Sequence, residues 1–110
     1  NGPDISKYGV IKSNNETGFV TGLIEKPHYE NAPSNLASIG RYILTPDIFD
    51  ILRNQSIGVG GEIQLADSIN VQAVNNMVET VLLNGNRFDC GSIEGYVKAI
   101  KHMSLINNIN

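Results

Sequence analysis

Two short β-rich runs flank a turn-rich segment near the start of the chain, and this pattern restricts the fold more than any other feature of the sequence. Residues 8–11 and 19–24 are rich in β-branched and aromatic side chains, and residues 12–18 between them are rich in turn formers and end in glycine. The pattern predicts a β-hairpin with a loop longer than two residues. Pro27 ends the second strand because proline has no N–H to donate.

The segment that follows Pro27 predicts a loop and then a third strand. Residues 28–34 contain asparagine and proline, which disfavour both a helix and a central strand. Residues 36–44 are β-like but are interrupted by Gly40. Glycine within a strand is typical of a position where another backbone or a ligand comes close.

Capping residues and apolar spacing predict three helices. The first begins at Thr45-Pro46-Asp47, the second near Glu62, and the third after a cap at Ser92. Lys98, Lys101 and His102 of the third helix are expected to face outward. The predicted inward faces are Ile48, Ile51 and Leu52 in the first helix, Ile63, Ala66, Ile69, Ala73 and Val74 in the second, and Tyr96, Val97, Ile100 and Met103 in the third.

Two more strands complete the predicted order. Residues 77–83 are β-like, and residues 87–90 form a very short strand after a glycine turn. The order is β-β-β-α-α-β-β-α, and residues 1–110 are expected to form a single α+β domain with the sheet facing helices on one side.

Composition and charge exclude several classes of protein. A net charge of −3 and a pI of about 5.2 provide no basic field for nucleic acid or for an acidic membrane surface. The apolar runs are too short to span a membrane, and the first residues do not resemble a signal peptide. Cys90 is the only cysteine, so neither an intrachain disulfide nor a Cys/His zinc cluster is expected, and Cys90 itself is expected to be buried. We expect a soluble, cytoplasmic protein.

Glu25, Lys26 and Pro27 form the first of three polar islands at predicted strand ends or glycine turns. Adjacent side chains on a strand diverge, which allows one ligand to be held at two places. A carboxylate suits the hydroxyl donors of a sugar, and an ammonium suits a phosphate. The alternative is an exposed Glu and Lys before a loop, since surface charges are common.

The other two islands carry one carboxylate each. Glu62 and Gln64 are expected in the first turn of a helix, where backbone N–H groups are free, although Glu62 also suits the helix dipole alone. Asp89 is unusual because acidic residues are depleted in strands. It is a candidate Mg²⁺ ligand, since Mg²⁺ takes one or two carboxylates together with substrate phosphates. The alternative is that Asp89 caps the following helix or begins a turn.

Six short motifs follow one another along the chain. They are Tyr8-Gly9-Val10-Ile11, Glu25-Lys26-Pro27, Ala32-Pro33-Ser34-Asn35-Leu36-Ala37, Ile39-Gly40-Arg41-Tyr42-Ile43-Leu44, Gly61-Glu62-Ile63-Gln64-Leu65-Ala66-Asp67 and Phe88-Asp89-Cys90-Gly91-Ser92. No single motif is specific, but their order and spacing closely resemble the C-terminal part of the bacterial UTP–glucose-1-phosphate uridylyltransferase (UDP-glucose pyrophosphorylase) family. These enzymes are sugar nucleotidyltransferases, and the resemblance implies part of their mixed-sheet, Rossmann-like α/β fold.

The resemblance also implies roles for individual residues. Glu25 would accept hydrogen bonds from glucose hydroxyls, Lys26 would contact the sugar phosphate, and the backbone at Gly9 would lie close to the sugar. Asp89 would be one of two aspartates that hold Mg²⁺. Gly40 and Tyr42 would line the sugar side, and Glu62 would border the sugar-phosphate pocket.

The chain also departs from the family it resembles. The family usually has Thr at the position of Ala66 and Lys at the position of Ile93. Its glycine-rich nucleotide loop, with a basic residue, and the second metal aspartate are absent from these 110 residues. We therefore expect a fragment whose N-terminal half is missing and which does not catalyse the reaction alone. The alternatives are a related thymidylyl- or adenylyltransferase, and a binding module that forms homo-oligomers through exposed sheet edges.

Overall fold

The computed structural model describes residues 2–108. The chain divides into two compact units, Asn1–Thr80 and Val81–Asn110, and each is described by itself. The single domain expected over residues 1–110 stays a prediction.

The first unit contains a three-stranded antiparallel sheet. Strand β1 spans Gly9–Ser13, β2 spans Val20–Glu25 and β3 spans Ala37–Ser38, and their order in the sheet is β2-β1-β3. Short 3-10 helices span Gly2–Lys7, Tyr29–Asn31 and Val59–Gly61. The predicted hairpin is confirmed, and β1 lies in the middle of the sheet.

The hairpin loop is held by Asn14. Its side-chain oxygen accepts the N–H groups of Glu16 and Thr17, and its carbonyl accepts the N–H of Gly18 at 2.8 Å. Gly18 has a φ of +75°, which glycine adopts without steric cost. The turn-rich composition of residues 12–18 therefore has a direct structural use.

The third strand is much shorter than the sequence predicts. It ends at Ser38, whereas residues 36–44 were expected to be extended. Gly40 follows with a φ of +74°, a bend at which the extended backbone ends. A strand continues only where a neighbour accepts its backbone hydrogen bonds, and β1 pairs with β3 at only two positions.

Two helices follow in the first unit, and both begin later than predicted. Helix α1 spans Ile48–Asn54, so Thr45 does not cap it; instead, the Thr45 hydroxyl donates to the Asp47 carboxylate. Helix α2 spans Leu65–Val74 and packs on β2 and on α1. Glu62 has extended backbone three residues before α2, because two glycines with positive φ, Gly60 and Gly61, interrupt regular structure there.

The core of the first unit lies between the sheet and α2. Its buried polar side chains, Ser68 and Gln72, both come from α2 and bond to side chains from the α1 region: Ser68 to Gln55, and Gln72 to Thr45 and Asp47. Ile63 and Val74, which were expected inward, are exposed. The buried apolar side chains are Ile5, Val10, Val20, Leu23, Ile48, Ile69 and Ala73.

The second unit contains helix α3, which spans Ile93–Ile106. The Ser92 hydroxyl accepts the Gly95 N–H at 3.1 Å, so the predicted cap is confirmed. Lys98 and Lys101 of α3 are exposed as predicted, whereas His102, which was expected to face outward with them, is half-buried and lies 5.1 Å from Phe88 between ring centroids. The residues expected inward, Tyr96, Val97, Ile100 and Met103, are all exposed.

The two later strands are absent from the described structure. Neither residues 77–83 nor residues 87–90 form a strand, because no neighbouring strand accepts their backbone hydrogen bonds. The Val78 carbonyl accepts one backbone hydrogen bond from β2, donated by the Val20 N–H at 3.0 Å, and this bond does not extend into a strand pairing. The fold is thus a small α+β arrangement with three antiparallel strands and three α-helices within residues 2–108. No helix in that range is long and apolar enough to cross a membrane.

Candidate functional site

One end of the sheet brings several of the predicted site residues together. In the strand register, Gly9 of β1 lies opposite Glu25 of β2 on one side and opposite Ser38 of β3 on the other. Directly opposed residues of antiparallel strands point to the same face of the sheet. Gly9, the first residue of β1, therefore lies between the side chains of Glu25 and Ser38 on one face of the sheet.

The carboxylate of Glu25 lies directly over Gly9. A Cβ atom added to Gly9 would come within 3.1 Å of Glu25 Oε2 and 3.2 Å of Leu23 Cδ1. Both distances are shorter than ordinary contacts, so even a methyl group at position 9 would push its neighbours away by a few tenths of an ångström. Gly9 is buried and Glu25 is exposed. The Glu25 carboxylate is therefore accessible beside a strand position, Gly9, that has no side chain.

Lys26 leaves the strand in an unusual backbone conformation. Its φ is +44°, and its N–H donates to the Tyr8 carbonyl at 3.0 Å. A non-glycine residue in this region carries steric strain of about 1 to 3 kcal/mol. The strand period of two therefore does not describe how Glu25 and Lys26 diverge; the positive φ of Lys26 directs its exposed side chain instead.

Tyr42 returns to the same end of the sheet. After the turn at Gly40, the Tyr42 hydroxyl lies 2.8 Å from the Ser38 hydroxyl, next to Gly9 in the register. The sequence singled out Gly40 and Tyr42 but not Ser38. Tyr42 and Ser38 come together because the short β3 strand places Ser38 at this end of the sheet.

Glu62 lies in a loop of its own. Its carbonyl accepts the Gly58 N–H at 2.9 Å, and its side chain is exposed. The expectation that Glu62 and Gln64 lie in the first helical turn is wrong, because α2 begins at Leu65 and Gln64 only precedes it.

Asp89 belongs to the second unit, where its carboxylate begins a turn. Its Oδ1 accepts the Gly91 N–H at 3.0 Å, as in the alternative that the sequence left open. The carboxylate is exposed and has more than one acceptor position, so this bond leaves capacity for a cation. No cluster of three or more metal-binding side chains occurs among the residues that the structure describes. Asp89 therefore fits one ligand of Mg²⁺, not a complete site. Cys90, which was expected to be buried, is exposed beside it.

The sequence did not single out two residues that contact the segments carrying Asp89 and Glu25, namely Gly95 and Asn70. Gly95, in the first turn of α3, lies against the carbonyl oxygen of Asp89, so that an added Cβ would overlap that atom. A glycine inside a helix weakens it and often has a packing reason, which was the available signal. Asn70 binds the backbone of β2 through both atoms of its side-chain amide, and no sequence pattern indicated this.

Comparison with known proteins identifies the class. The family model of nucleotidyl transferases matches residues 2–104, and the chain belongs to that family. The chain is 50% identical over 99 residues to a UTP–glucose-1-phosphate uridylyltransferase of Pseudomonas aeruginosa, and 42% identical over 108 residues to that of Haemophilus ducreyi. These alignments cover 87% and 93% of the chain, but only 36% and 37% of the relatives.

Solved structures agree with the sequence comparison. A UDP-glucose pyrophosphorylase in complex with UDP-glucose superposes with a TM-score of 0.80 at 47% identity, covering 91% of this chain and 39% of that protein. An apo UDP-glucose pyrophosphorylase gives a TM-score of 0.84 at 44% identity, covering 96% of this chain and 40% of that protein. The chain thus spans little more than a third of the relatives that it matches, and the expected resemblance to this family is confirmed.

Proposed function

We propose that this chain is the sugar-phosphate-binding part of a UTP–glucose-1-phosphate uridylyltransferase. The observation that carries the proposal is the Glu25 carboxylate over Gly9, at the sheet end where Lys26 and Tyr42 also lie. The names of the relatives provide the substrates, UTP and glucose 1-phosphate.

Each residue of the sheet end has a chemical task in this proposal. The Glu25 carboxylate accepts hydrogen bonds from glucose hydroxyls, and Gly9 lets the sugar ring approach the backbone. The Lys26 ammonium contacts the sugar phosphate by a charge-assisted hydrogen bond. Tyr42 and Gly40 border the sugar, and Glu62 borders the phosphate side.

Asp89 would be the metal ligand contributed by this chain. Mg²⁺, when bound with the substrate phosphates, supplies charge neutralisation. The Asx turn with Gly91 and the packing of Gly95 fix the position of the carboxylate on its own loop.

The reaction itself is an in-line displacement. A phosphate oxygen of glucose 1-phosphate forms a bond to the α-phosphorus of UTP, and the bond to pyrophosphate breaks. No covalent intermediate with the protein is needed, so Glu25 contributes by holding the sugar and Lys26 by holding the attacking phosphate. We expect the cytoplasm as the compartment, as the sequence predicts.

The test is a titration of the chain with glucose 1-phosphate, followed by NMR of backbone amides. Shifts that saturate at Gly9, Glu25 and Lys26 are expected. Gly9→Ala should weaken binding about tenfold or more, because the new methyl group displaces the Glu25 carboxylate and fills the approach of the sugar.

Gly22→Ala is the matched control on the neighbouring strand. An added Cβ at Gly22 lies 3.7 Å from its nearest neighbour, Asn70 Oδ1, which is an ordinary contact. Binding by this variant should equal that of the unchanged chain. Saturation of the unchanged chain without shifts at the three sheet-end residues would contradict the proposed site.

A second candidate, self-association, is favoured by one observation. Helix α3 exposes 56% of Tyr96, 48% of Ile100 and 53% of Met103 on one face. Exposed apolar patches of this kind often mark protein contacts. Sedimentation velocity over a range of concentrations separates the candidates: a dimer that Ile100→Glu abolishes supports association through α3, and a monomer at every concentration contradicts it.

A further inference from the structure

Asn70 of α2 occupies the outer edge of strand β2. The Leu23 N–H donates to Asn70 Oδ1 at 2.6 Å, and Asn70 Nδ2 donates to the Leu23 carbonyl at 3.0 Å. One side chain thus satisfies both backbone groups of a single strand residue. An adjacent strand would make the same pair of bonds.

The sheet pattern shows that these groups would otherwise face outward. The Ile11 N–H donates to the Leu36 carbonyl, on the side of β1 away from β2. The Ile11–Leu23 pair is therefore a non-hydrogen-bonded pair of the hairpin, and the backbone groups of Leu23 point to the free edge of β2. Unpaired groups at such an edge favour the addition of another strand. At Leu23 the edge is closed by α2.

Leu23 connects this contact to the candidate site. Leu23 and Glu25 are two residues apart on β2, so their side chains lie on the same face, and both lie against Gly9. Leu23 is 7% exposed, and α2 is itself anchored in the core by Ile69 and Ala73 beside Asn70. Pairing with β1 holds one edge of β2, and Asn70 holds the other, so loss of the Asn70 contact would loosen the segment of β2 that carries Glu25.

We propose that Asn70 is a positioning residue, which fixes β2 so that Glu25 and Lys26 hold glucose 1-phosphate. This role rests on the proposed function, whereas the contact between Asn70 and Leu23 does not. An amide is suited to the task because it combines one acceptor and two donors in a single plane. A carboxylate lacks the donor and repels the Leu23 carbonyl.

The contact is tested first by amide hydrogen exchange, measured by NMR on the 110-residue chain. In Asn70→Ala the Leu23 N–H loses its acceptor, and its protection factor should fall about threefold to tenfold relative to the core amide of Val10. Asn70→Asp keeps an acceptor but loses the donor at neutral pH. The introduced carboxyl regains a donor when it is protonated, so protection at Leu23 should recover towards low pH in Asn70→Asp and not in Asn70→Ala.

Asn75→Ala is the matched control. Asn75 follows the last residue of the same helix, and its side-chain amide donates to the Val71 carbonyl of that helix. Protection of Leu23 should not change in this variant. Equal protection of Leu23 in the unchanged chain, Asn70→Ala and Asn70→Asp would overturn the contact and the proposal with it.

Positioning is tested by the affinity for glucose 1-phosphate. In both Asn70 variants the dissociation constant should rise about threefold or more at pH 7, while Asn75→Ala matches the unchanged chain. Faster exchange at Leu23 with unchanged affinity for glucose 1-phosphate would show that Asn70 does not position the site. Its role would then be limited to satisfying the backbone of Leu23 at the edge of β2. If the unchanged chain shows no shift at Glu25 on titration, the proposed function is wrong, and so is the positioning role of Asn70. Hydrogen exchange at Leu23 would still show in that case whether the contact between Asn70 and Leu23 is present.

Discussion

At Lys26, the requirements of the backbone and of the side chain are opposed. The residue has a φ of +44° directly before Pro27, a conformation that glycine adopts without steric cost and lysine does not. Steric strain at a single residue persists where the side chain has a use that glycine cannot supply. In the proposed function, that use is the contact of the ammonium with the sugar phosphate.

Lys26→Gly should therefore change stability and binding in opposite directions. The free energy of unfolding should rise by up to about 1 kcal/mol as strain is relieved, and affinity for glucose 1-phosphate should fall about tenfold with loss of the charged donor. Urea denaturation and NMR titration measure the two effects. Asn76→Gly is the control, because Asn76 also has a positive φ of 56°, at the end of α2; it should leave binding unchanged. Undiminished binding by Lys26→Gly would exclude the phosphate contact.

The sequence predicts site residues better than it predicts their conformations. Glu25 and Lys26 were chosen for their chemistry at a strand end, and the end of the strand is confirmed because Pro27 cannot continue it. The positive φ of Lys26 has no local sequence signal, since lysine is not a residue that favours it. The approach of Glu25 to Gly9 depends on strand register, which becomes visible only when both strands are paired.

At the scale of the elements, a polar contact joins the residues just before α1 to α2. The Asp47 carboxylate accepts the Thr45 hydroxyl and, at 3.1 Å, the Gln72 amide of α2. The bond from Thr45, and then the bond from Gln72, lower the pKa of Asp47 below its ordinary value of 3.8. Both bonds favour the ionised carboxylate.

Stability should therefore depend on the charge of Asp47. Because its pKa is lower in the folded state, its stabilising effect is complete above the ordinary value and is lost as the pH falls through the folded-state value. Urea denaturation should show that the unchanged chain has a higher free energy of unfolding than Asp47→Asn near pH 6. This difference should narrow from about pH 4 downwards. Lys7 lowers the pKa of Asp4 as well, but Asp4 is present in both chains, so its effect on the difference in the free energy of unfolding cancels. A gap that is the same at every pH would contradict this origin.

Helix α3 depends on Gly95 at its point of contact with the Asp89 segment. In an exposed helix, Gly→Ala stabilises by about 1 kcal/mol. Here the new methyl group would overlap the Asp89 carbonyl oxygen, so Gly95→Ala should destabilise by about 1 to 3 kcal/mol and shift the Asp89 and Gly91 resonances. Gly85→Ala is the control, because an added Cβ there meets nothing within 4 Å. A stabilised Gly95→Ala variant would show that Asp89 is not held by this contact.

The elements that the sequence predicted well are those that local chemistry determines. The hairpin follows from the turn residues between its strands, and the start of α3 follows from the Ser92 cap. The strands expected at residues 77–83 and 87–90 depend on partners that local patterns do not specify, and they are not formed. The inward face of α3 was misassigned for the same reason: its apolar residues were assumed to be covered, whereas Gly95 and His102 make its contacts.

At the scale of the whole molecule, the proposed function gives the chain the groups for glucose 1-phosphate and not those for UTP. Glu25, Lys26 and Tyr42 suit glucose 1-phosphate, whereas the 110 residues contain no glycine-rich loop with a basic residue for the UTP phosphates. The first relative that it resembles is about two and a half times as long, since the 99 aligned residues make up 36% of it. The two halves of the reaction should therefore be separable by experiment.

The chain alone should bind glucose 1-phosphate without making UDP-glucose. On titration with glucose 1-phosphate, resonances at Gly9 and Glu25 should shift and saturate. Equal concentrations of UTP with Mg²⁺ should leave them unchanged, because in the proposed function this sheet end binds only the sugar phosphate. Pyrophosphate release with both substrates should not exceed that of a protein-free blank. Lys26→Ala is the control for trace activity from another enzyme, since contaminating turnover would persist in it. Turnover by the unchanged chain that Lys26→Ala abolishes would show that these 110 residues hold both substrates, and the separation of the two sites would then be wrong.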